Sequence, residues 1–407
     1  DFMILPGQGN YINPDFITPK GDTSIIGYVT DIVTDLTLGW LDQKRDPEKP
    51  FMLMYMHKAP HRPWWPRADK FKQYSKMEFP VPSTLFDDYR GRGSAAKEAE
   101  MNILYDMKYG HDSKIRPETI FEMGNVLPEV PAMNWDGVDG FYRNYNRAND
   151  AQKAIYDPII DSINIEFKKY WPCMSREEKM RWKYQRYMQD YLATIASIDD
   201  NVGRLLDYLK ETGLDQNTMI IYTSDQGFYL GEHGWFDKIF IYDESFKTPL
   251  LIRWPNKIEP GITSDEMVQN LDFAQTFLEA AMINIPDDMQ GESLMPLLTG
   301  NNEKWDREEV YYHYYEYPSV HMVKRHYGIV SKSYKLVRFY YDVDEWELYD
   351  RKKDPYELNN VYDNDEYKSI REDLHLRLES LRIKYKDSDE LNDFYINKYL
   401  EKNKSRN

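Results

Sequence analysis

The chain has 407 residues, 41 % of them hydrophobic and 30 % charged, with a net charge of −17. Such an acidic balance is repelled by phosphate backbones and excludes a general nucleic-acid-binding role, and no apolar run approaches the ~18 residues needed to span a membrane. The single cysteine, Cys173, excludes an intrachain disulfide and a cysteine-rich zinc site.

Aromatic residues are abundant, with 34 Tyr, 17 Phe and 10 Trp. They fit a large core with an aromatic surface, and equally a set of flat faces for stacking on sugar rings. The start at Asp1-Phe2-Met3 reads as a processed or truncated end, and no signal peptide is visible. Residues 25–45 follow, with Ile25, Val29, Ile32, Val33 and Leu36 spaced for one face of a helix. Pro50 introduces "FMLMYMH", residues 51–57, a continuous apolar run expected as a buried strand of a parallel sheet. The three prolines of "HKAPHRPWWP" make the next segment a loop at that strand's C-terminal end. Residues 67–175 hold scattered Pro, Gly and charge and read as a long excursion over the active face, with residues 91–110 partly helical.

Residues 176–211 form a long helix, with Ser175 at its N-cap and Gly213 where a C-terminal cap belongs. "TMIIYTS" is a strand, and "SFKTPLLIRWP" is another that enters a turn. Residues 270–282 read as helix. This alternation predicts an α/β fold, a mixed sheet flanked by helices. The last hundred residues differ. "EVYYHYYEY", "YGIVSKSYKLVRFYY" and "EWELYD" read as antiparallel strands, and residues 363–386 as a terminal helix, giving a smaller α+β subdomain. The expected division is a core over 1–300 and a C-terminal subdomain over 301–407.

In open α/β sheets ligands bind beyond the carboxyl ends of strands. Two expected strand ends carry polar clusters here, His57 to Trp65 and Asp225 to Lys238. Asp225 and Gln226 offer hard oxygen ligands suited to Ca²⁺ or Mg²⁺, and equally fit a plain Asx turn. His61 can protonate a leaving oxygen and Lys238 can neutralise a sulfuryl or phosphoryl group. The plainer readings are a hydrogen-bonded loop histidine and a solvated lysine.

The register of "SDQGFYLGEHGWFDK" followed by "YDESFKTPLLIRWP" resembles the second signature region of the formylglycine-dependent sulfatases, within the alkaline-phosphatase-like superfamily. "FMLMYMHKAPHRPWWP" resembles that family's strand and loop with its catalytic histidine. "YGIVSKSYKLVRFY" and "ELYDRKKDPYELNNVY" resemble its C-terminal subdomain. The resemblance implies that Asp225 and Gln226 are metal ligands, usually for Ca²⁺. It implies that Lys238 contacts the sulfate and that His61 assists departure of the alcohol; His233 is in line for contact with substrate or for bracing the loop. "YYEYPSVHMVKRHYGI" resembles a segment of bacterial N-acetylglucosamine-6-sulfatase-like proteins, which brings His321, Lys324, Arg325 and His326 near the region that borders the family's pocket. A strand pair with solvated basic residues fits that segment as well.

The chain departs from the family in two places. The paired N-terminal aspartates and the Cys/Ser-x-Pro-x-Arg motif, whose first residue becomes the formylglycine nucleophile, have no match. "CMSR", from Cys173, lacks the proline and the arginine spacing, and Asp199-Asp200 lie inside the long helix. The expectation is a periplasmic or secreted sulfatase that acts on a sulfated carbohydrate, with the nucleophile in an N-terminal segment missing from this sequence. The alternatives are a phosphate-ester hydrolase or phosphoryl transferase of the same superfamily, and a non-catalytic carbohydrate-binding remnant.

Overall fold

The computed structural model describes residues 1–123 and 135–404. The chain divides into two compact units, each discontinuous in sequence. One comprises Asp1–Leu85, Met101–Asp215 and Gly234–Phe236; the other comprises Phe86–Glu100, Gln216–His233 and Asp237–Asn407.

The first unit is built on helices. Its longest, Arg176–Glu211, begins at a capping box: Ser175 Oγ accepts from the Glu178 N–H at 3.3 Å, and the Glu178 carboxylate accepts from the Ser175 N–H at 2.7 Å. It ends before Gly213, whose φ of +72° is the left-handed conformation that glycine adopts without a Cβ penalty. Helix Val29–Gln43 starts four residues later than the periodicity suggests. It buries Val29, Ile32 and Leu41.

Residues 67–175 are more ordered than an excursion. They contain helices Ala68–Tyr74, Tyr109–Ser113, Pro117–Glu122, Trp135–Tyr145 and Asp150–Tyr170 in this unit. Residues 124–134 of that stretch lie outside the described residues. The Asp150–Tyr170 helix has its own capping box, Asn149 with Gln152, and it accommodates Pro158 in its interior. Its Tyr156 packs on Trp65 with ring centroids 5.9 Å apart and donates to the Pro66 carbonyl at 2.9 Å. Proline and charge in the sequence mask a helix whose apolar side is held by aromatic packing.

The run 51–57 is extended, but among the described residues it pairs with no strand, contrary to the expected parallel sheet. Met52, Met54 and Met56 are each 65 % exposed, while Leu53 and Tyr55 are half-buried. The Tyr55 hydroxyl lies 2.6 Å from Thr34 Oγ1. A strand is completed by a neighbour that takes its N–H and C=O groups; this run has the apolar composition on both faces, and no such neighbour lies among the described residues.

In the second unit, Ile220–Thr223 and Leu250–Arg253 form an antiparallel pair, with Ile221 opposite Ile252. Helix Asp272–Ala280 falls within the span expected as helical. The C-terminal part is a four-stranded antiparallel meander of Glu309–Tyr314, His326–Ser331, Tyr334–Phe339 and Glu345–Asp350, in sequential order. Tyr311, Ile329, Leu336 and Leu348 stand opposite one another in one row across it. Helix Lys368–Lys384 covers this row with Leu374, Leu378 and Leu381, forming one buried cluster. A further helix, Asp389–Lys404, follows the one the sequence suggests as terminal.

Candidate functional site

His61 lies in the first unit, in the proline-rich loop after the extended run. Its Nδ1 is 2.7 Å from the Arg62 carbonyl. A carbonyl only accepts, so Nδ1 carries the proton and Nε2 is the nitrogen through which the ring exchanges protons. The loop around it is tightly held. The His61 N–H donates to the Lys58 carbonyl at 2.9 Å, the Tyr11 hydroxyl donates to the His61 carbonyl at 2.7 Å, and Trp64 Nε1 donates to the Pro60 carbonyl at 2.7 Å. Arg62 forks onto Asp112, with Nε–Oδ1 2.6 Å and Nη2–Oδ2 2.5 Å, and its guanidinium stands 4.9 Å above the Phe236 ring. His57, at the end of the extended run, is pushed down to about 4 by burial, against the pull of Asp31, and is therefore neutral at pH 7.

The other predicted residues lie in the second unit. Asp225 and Gln226 follow strand Ile220–Thr223 at once, with Asp225 exposed. The amide end of Gln226 stands 3.1 Å and 2.8 Å from the two carboxylate oxygens of Asp225. With its nitrogen turned inward these are hydrogen bonds; with its oxygen turned inward, three oxygens converge as a hard cation requires. The donor types fit Ca²⁺, but they supply only part of its six to eight ligands. Among the described residues there is no cluster of three or more His, Cys, Asp or Glu able to hold a metal ion.

Lys238 sits in a strained stretch. Asp237 and Ile239 on either side have φ of +73° and +115°. A β-branched residue there is a conformational outlier, costing of order 1–3 kcal/mol. The surroundings hold it: the Ile239 N–H donates to Ser245 Oγ at 2.8 Å, and the Tyr312 hydroxyl donates to the Ile239 carbonyl at 2.5 Å. Lys238 Nζ donates to Asp237 Oδ1 at 2.9 Å and lies 5.6 Å from the Phe228 ring centroid. The other oxygen of Asp237 is 2.9 Å from His321 Nε2, and His321 Nδ1 is 2.9 Å from the Glu100 carbonyl. Both partners of that ring are acceptors, so both contacts are hydrogen bonds only when each ring nitrogen carries a proton. The structure thus brings Lys238 and His321 onto one carboxylate.

His233 is fully buried with φ +58°; its Nδ1 faces Asp87 at 3.3 Å and its Nε2 faces Glu244 at 3.4 Å. Arg325 is also buried, donating through Nε to the Tyr317 carbonyl at 2.8 Å and lying 5.6 Å from the Tyr341 ring centroid. Lys324 pairs with Asp342 and, at 2.8 Å, with Glu98. Burial pushes His326 down to about 3, and its Nδ1 contacts the Lys324 carbonyl at 2.8 Å.

Cys173 is exposed, in the short turn Trp171–Cys173 before the long helix. Asp200 pairs with Arg67 and, at 2.9 Å, with Lys70, which is a packing role. Two further carboxylates, Asp237 and Asp112, complete these loops. Asp237 stands beside Lys238 in the quoted motif, so its signal was present. Asp112 is fifty positions from Arg62, and nothing in "YGHDSK" marks it.

Comparison with known proteins gives these residues their context. Residues 5–283 match the sulfatase family model, and residues 231–384 match the model described as N-sulphoglucosamine sulphohydrolase, C-terminal. The chain is 43 % identical over 396 residues to the N-acetylglucosamine-6-O-sulfatase of Bacteroides thetaiotaomicron, covering 95 % of this chain and 68 % of that protein. It is 26 % identical over 296 residues to the human N-acetylglucosamine-6-sulfatase, covering 72 % of this chain and 40 % of that one. Among solved structures, one described as a complex with its substrate D-glucosamine-2-N,6-O-disulfate superposes with a TM-score of 0.86 at 43 % identity, covering 95 % of this chain and 76 % of that one. The fold is therefore alkaline-phosphatase-like, and by the extent of the family match the chain belongs to the sulfatase family.

Proposed function

We propose that the protein hydrolyses sulfate esters on sulfated glycans, removing the 6-O-sulfate of N-acetylglucosamine-type residues. The observation that carries this reading is the 43 % identity, across 95 % of the chain, to the Bacteroides N-acetylglucosamine-6-O-sulfatase. In this reading residues 1–300 are the catalytic core and 301–407 the C-terminal subdomain.

The roles follow from chemistry. Lys238 faces the anion and offsets charge as it builds on the sulfuryl oxygens. His61, with Nδ1–H committed to the Arg62 carbonyl, gives the proton on Nε2 to the leaving sugar oxygen as the S–O bond breaks. The electron pair of that bond stays on the oxygen, and His61 is left as the neutral imidazole. His233, His321 and Arg325 border the glycan pocket from buried positions, setting the groups in front of them. Sulfatases generally use a formylglycine and Ca²⁺. In this protein Asp225 and Gln226 would hold the ion, which when bound stabilises negative charge on the sulfate. No residue of this chain is assigned as the nucleophile.

No helix among the described residues is long and apolar enough to cross a membrane, and we place the enzyme in the periplasm or outside the cell, where sulfated glycans are met.

The test is an assay of the protein expressed from its complete reading frame, on N-acetylglucosamine-6-sulfate and on the corresponding 6-phosphate. Sulfate release, with little phosphate release, is expected. The reverse preference would assign the chain to phosphoryl chemistry, and turnover of neither would leave a binding role. For the metal, Ca²⁺ at a hundred times its Kd raises stability by about 2.7 kcal/mol. That thermal shift is expected to vanish in Asp225→Ala. A shift that survives the substitution removes Asp225 from the ligand set.

A further inference from the structure

We propose that Asp112 is a positioning residue for His61, acting through Arg62. The inference rests on the reading of His61 as the proton donor to the leaving oxygen.

The chain of contacts is short: Asp112 is fully buried, and Arg62 and His61 are partly buried. A short hydrogen bond helps to orient the His61 ring, Nδ1–H to the Arg62 carbonyl at 2.7 Å. That bond decides which nitrogen faces outward and favours one rotation of the ring. Its acceptor is a main-chain atom, so the ring is only as well placed as the backbone of residue 62. The Lys58 ammonium reaches the same carbonyl at 3.5 Å, a weak contact. The bonds to Lys58, Tyr11 and Pro60 hold the loop as a whole, and at residue 62 a further anchor is the side chain, whose two parallel bonds to Asp112 fix the plane and direction of the guanidinium as well as its distance.

Asp112 is built to be immovable. It is fully buried and accepts four contacts: two from Arg62, the Lys108 N–H at 2.6 Å and His111 Nδ1 at 3.0 Å. Burial pushes its carboxyl up, but the Arg62 guanidinium and His111 override this and hold it well below the usual carboxylate range. It is thus ionised throughout the working pH range, and a permanent negative charge at this point keeps the fork closed. A neutral amide of the same shape would keep one hydrogen bond but lose both the charge and the second acceptor. Residue 62 would then lose its direction, and His61 with it.

A misplaced proton donor shows itself through the leaving group. A sugar alkoxide is a poor leaving group and needs its proton, whereas an activated aryl oxide, such as that of 4-nitrocatechol, departs without one. Asp112→Asn in the complete protein is expected to lower kcat on N-acetylglucosamine-6-sulfate ~10- to 100-fold, the size of effect that about 1 Å of misplacement produces. KM is expected to stay near its original value, and kcat on 4-nitrocatechol sulfate to change little. Asp112→Asn combined with Arg62→Met is expected to fall no further than the worse single variant, because both act through one link.

An equal loss on both substrates, or a loss confined to KM or to the amount of folded protein, would overturn the inference. Should Asp112→Asn fail to fold, Arg62→Lys decides the matter by the same two-substrate comparison, since it keeps the charge and removes the fork. The reference is His61→Ala. If that variant also treats the two substrates alike, the acid role of His61 fails and the inference with it. If His61→Ala discriminates and Asp112→Asn does not, this inference alone falls.

Discussion

Two loops of this molecule each hold a cationic or proton-bearing group with a buried carboxylate, and they do so differently. In the second unit Asp237 touches Lys238 directly, and also touches His321, so its charge is shared at the spot where an anion would be met. In the first unit Asp112 stays one residue away from His61 and grips Arg62 instead. A lysine that only needs to present charge tolerates a counter-ion at its ammonium. An imidazole that must hand over a proton along one direction is better served by a rigid frame whose charge is spent elsewhere. On the proposed roles, the contrast means that aim and charge are separable, and that a carboxylate supplies one or the other according to its distance from the working atom.

The largest effect that would break this contrast belongs to Lys238→Ala. If Lys238 faces developing charge as proposed, its removal is expected to lower kcat/KM ~10²–10³-fold, equally on a sugar sulfate and an aryl sulfate, with the melting temperature little altered. A loss seen mainly as unfolding would make Lys238 structural. Next comes Asp237→Asn. It is expected to reduce turnover less than Lys238→Ala, and alike on both substrates, whereas Asp112→Asn discriminates between them. If both aspartate variants gave the same substrate pattern, the distinction between the loops would be lost.

Stability separates them further. Asp112 and Arg62 are a buried pair, with side-chain exposures of 0 % and 16 %, and removing one partner of such a pair costs about 3–5 kcal/mol. Asp112→Asn is therefore expected to lower Tm more than Asp237→Asn. A depressed carboxylate contributes stability that is fully present above its unfolded value, near pH ~4, and is lost as pH falls through the folded value. The Tm deficit of Asp112→Asn is accordingly expected to be constant in the neutral range and to shrink in strong acid. A deficit that grows on acidification would contradict the direction assigned to Asp112. The smallest effect serves as a baseline: Ser175→Ala removes a capping box outside both loops and is expected to cost ~1 kcal/mol, leaving both substrate rates unchanged.

Much of this was legible in the sequence where the determining contacts are local. The ends of helix Arg176–Glu211 were marked by Ser175 and Gly213, whose roles depend on residues one turn away. The C-terminal strands were legible as short runs rich in Tyr, Val and Ile, and His326–Ser331 is buried along its whole length, so both of its faces are covered. Helix Asp150–Tyr170 was obscured, since Pro158 and its charges speak against a helix while Trp65, far away in sequence, holds it. At the site, Lys238 and Asp225 stood in a recognisable register. The carboxylate that holds Arg62 did not, because a fork between positions 62 and 112 is a property of the fold and not of either neighbourhood.

The extended run with Met52, Met54 and Met56 on its outer side has a practical consequence for handling the protein. Among the described residues its main-chain donors and acceptors meet no ladder, and the exposed face is made of three thioethers. A strand of this composition is completed by neighbours that take its N–H and C=O groups. In the protein expressed from its complete reading frame the three thioethers are therefore expected to resist mild oxidation, and rapid sulfoxide formation at Met54 in peptide mapping would show that this face stays uncovered.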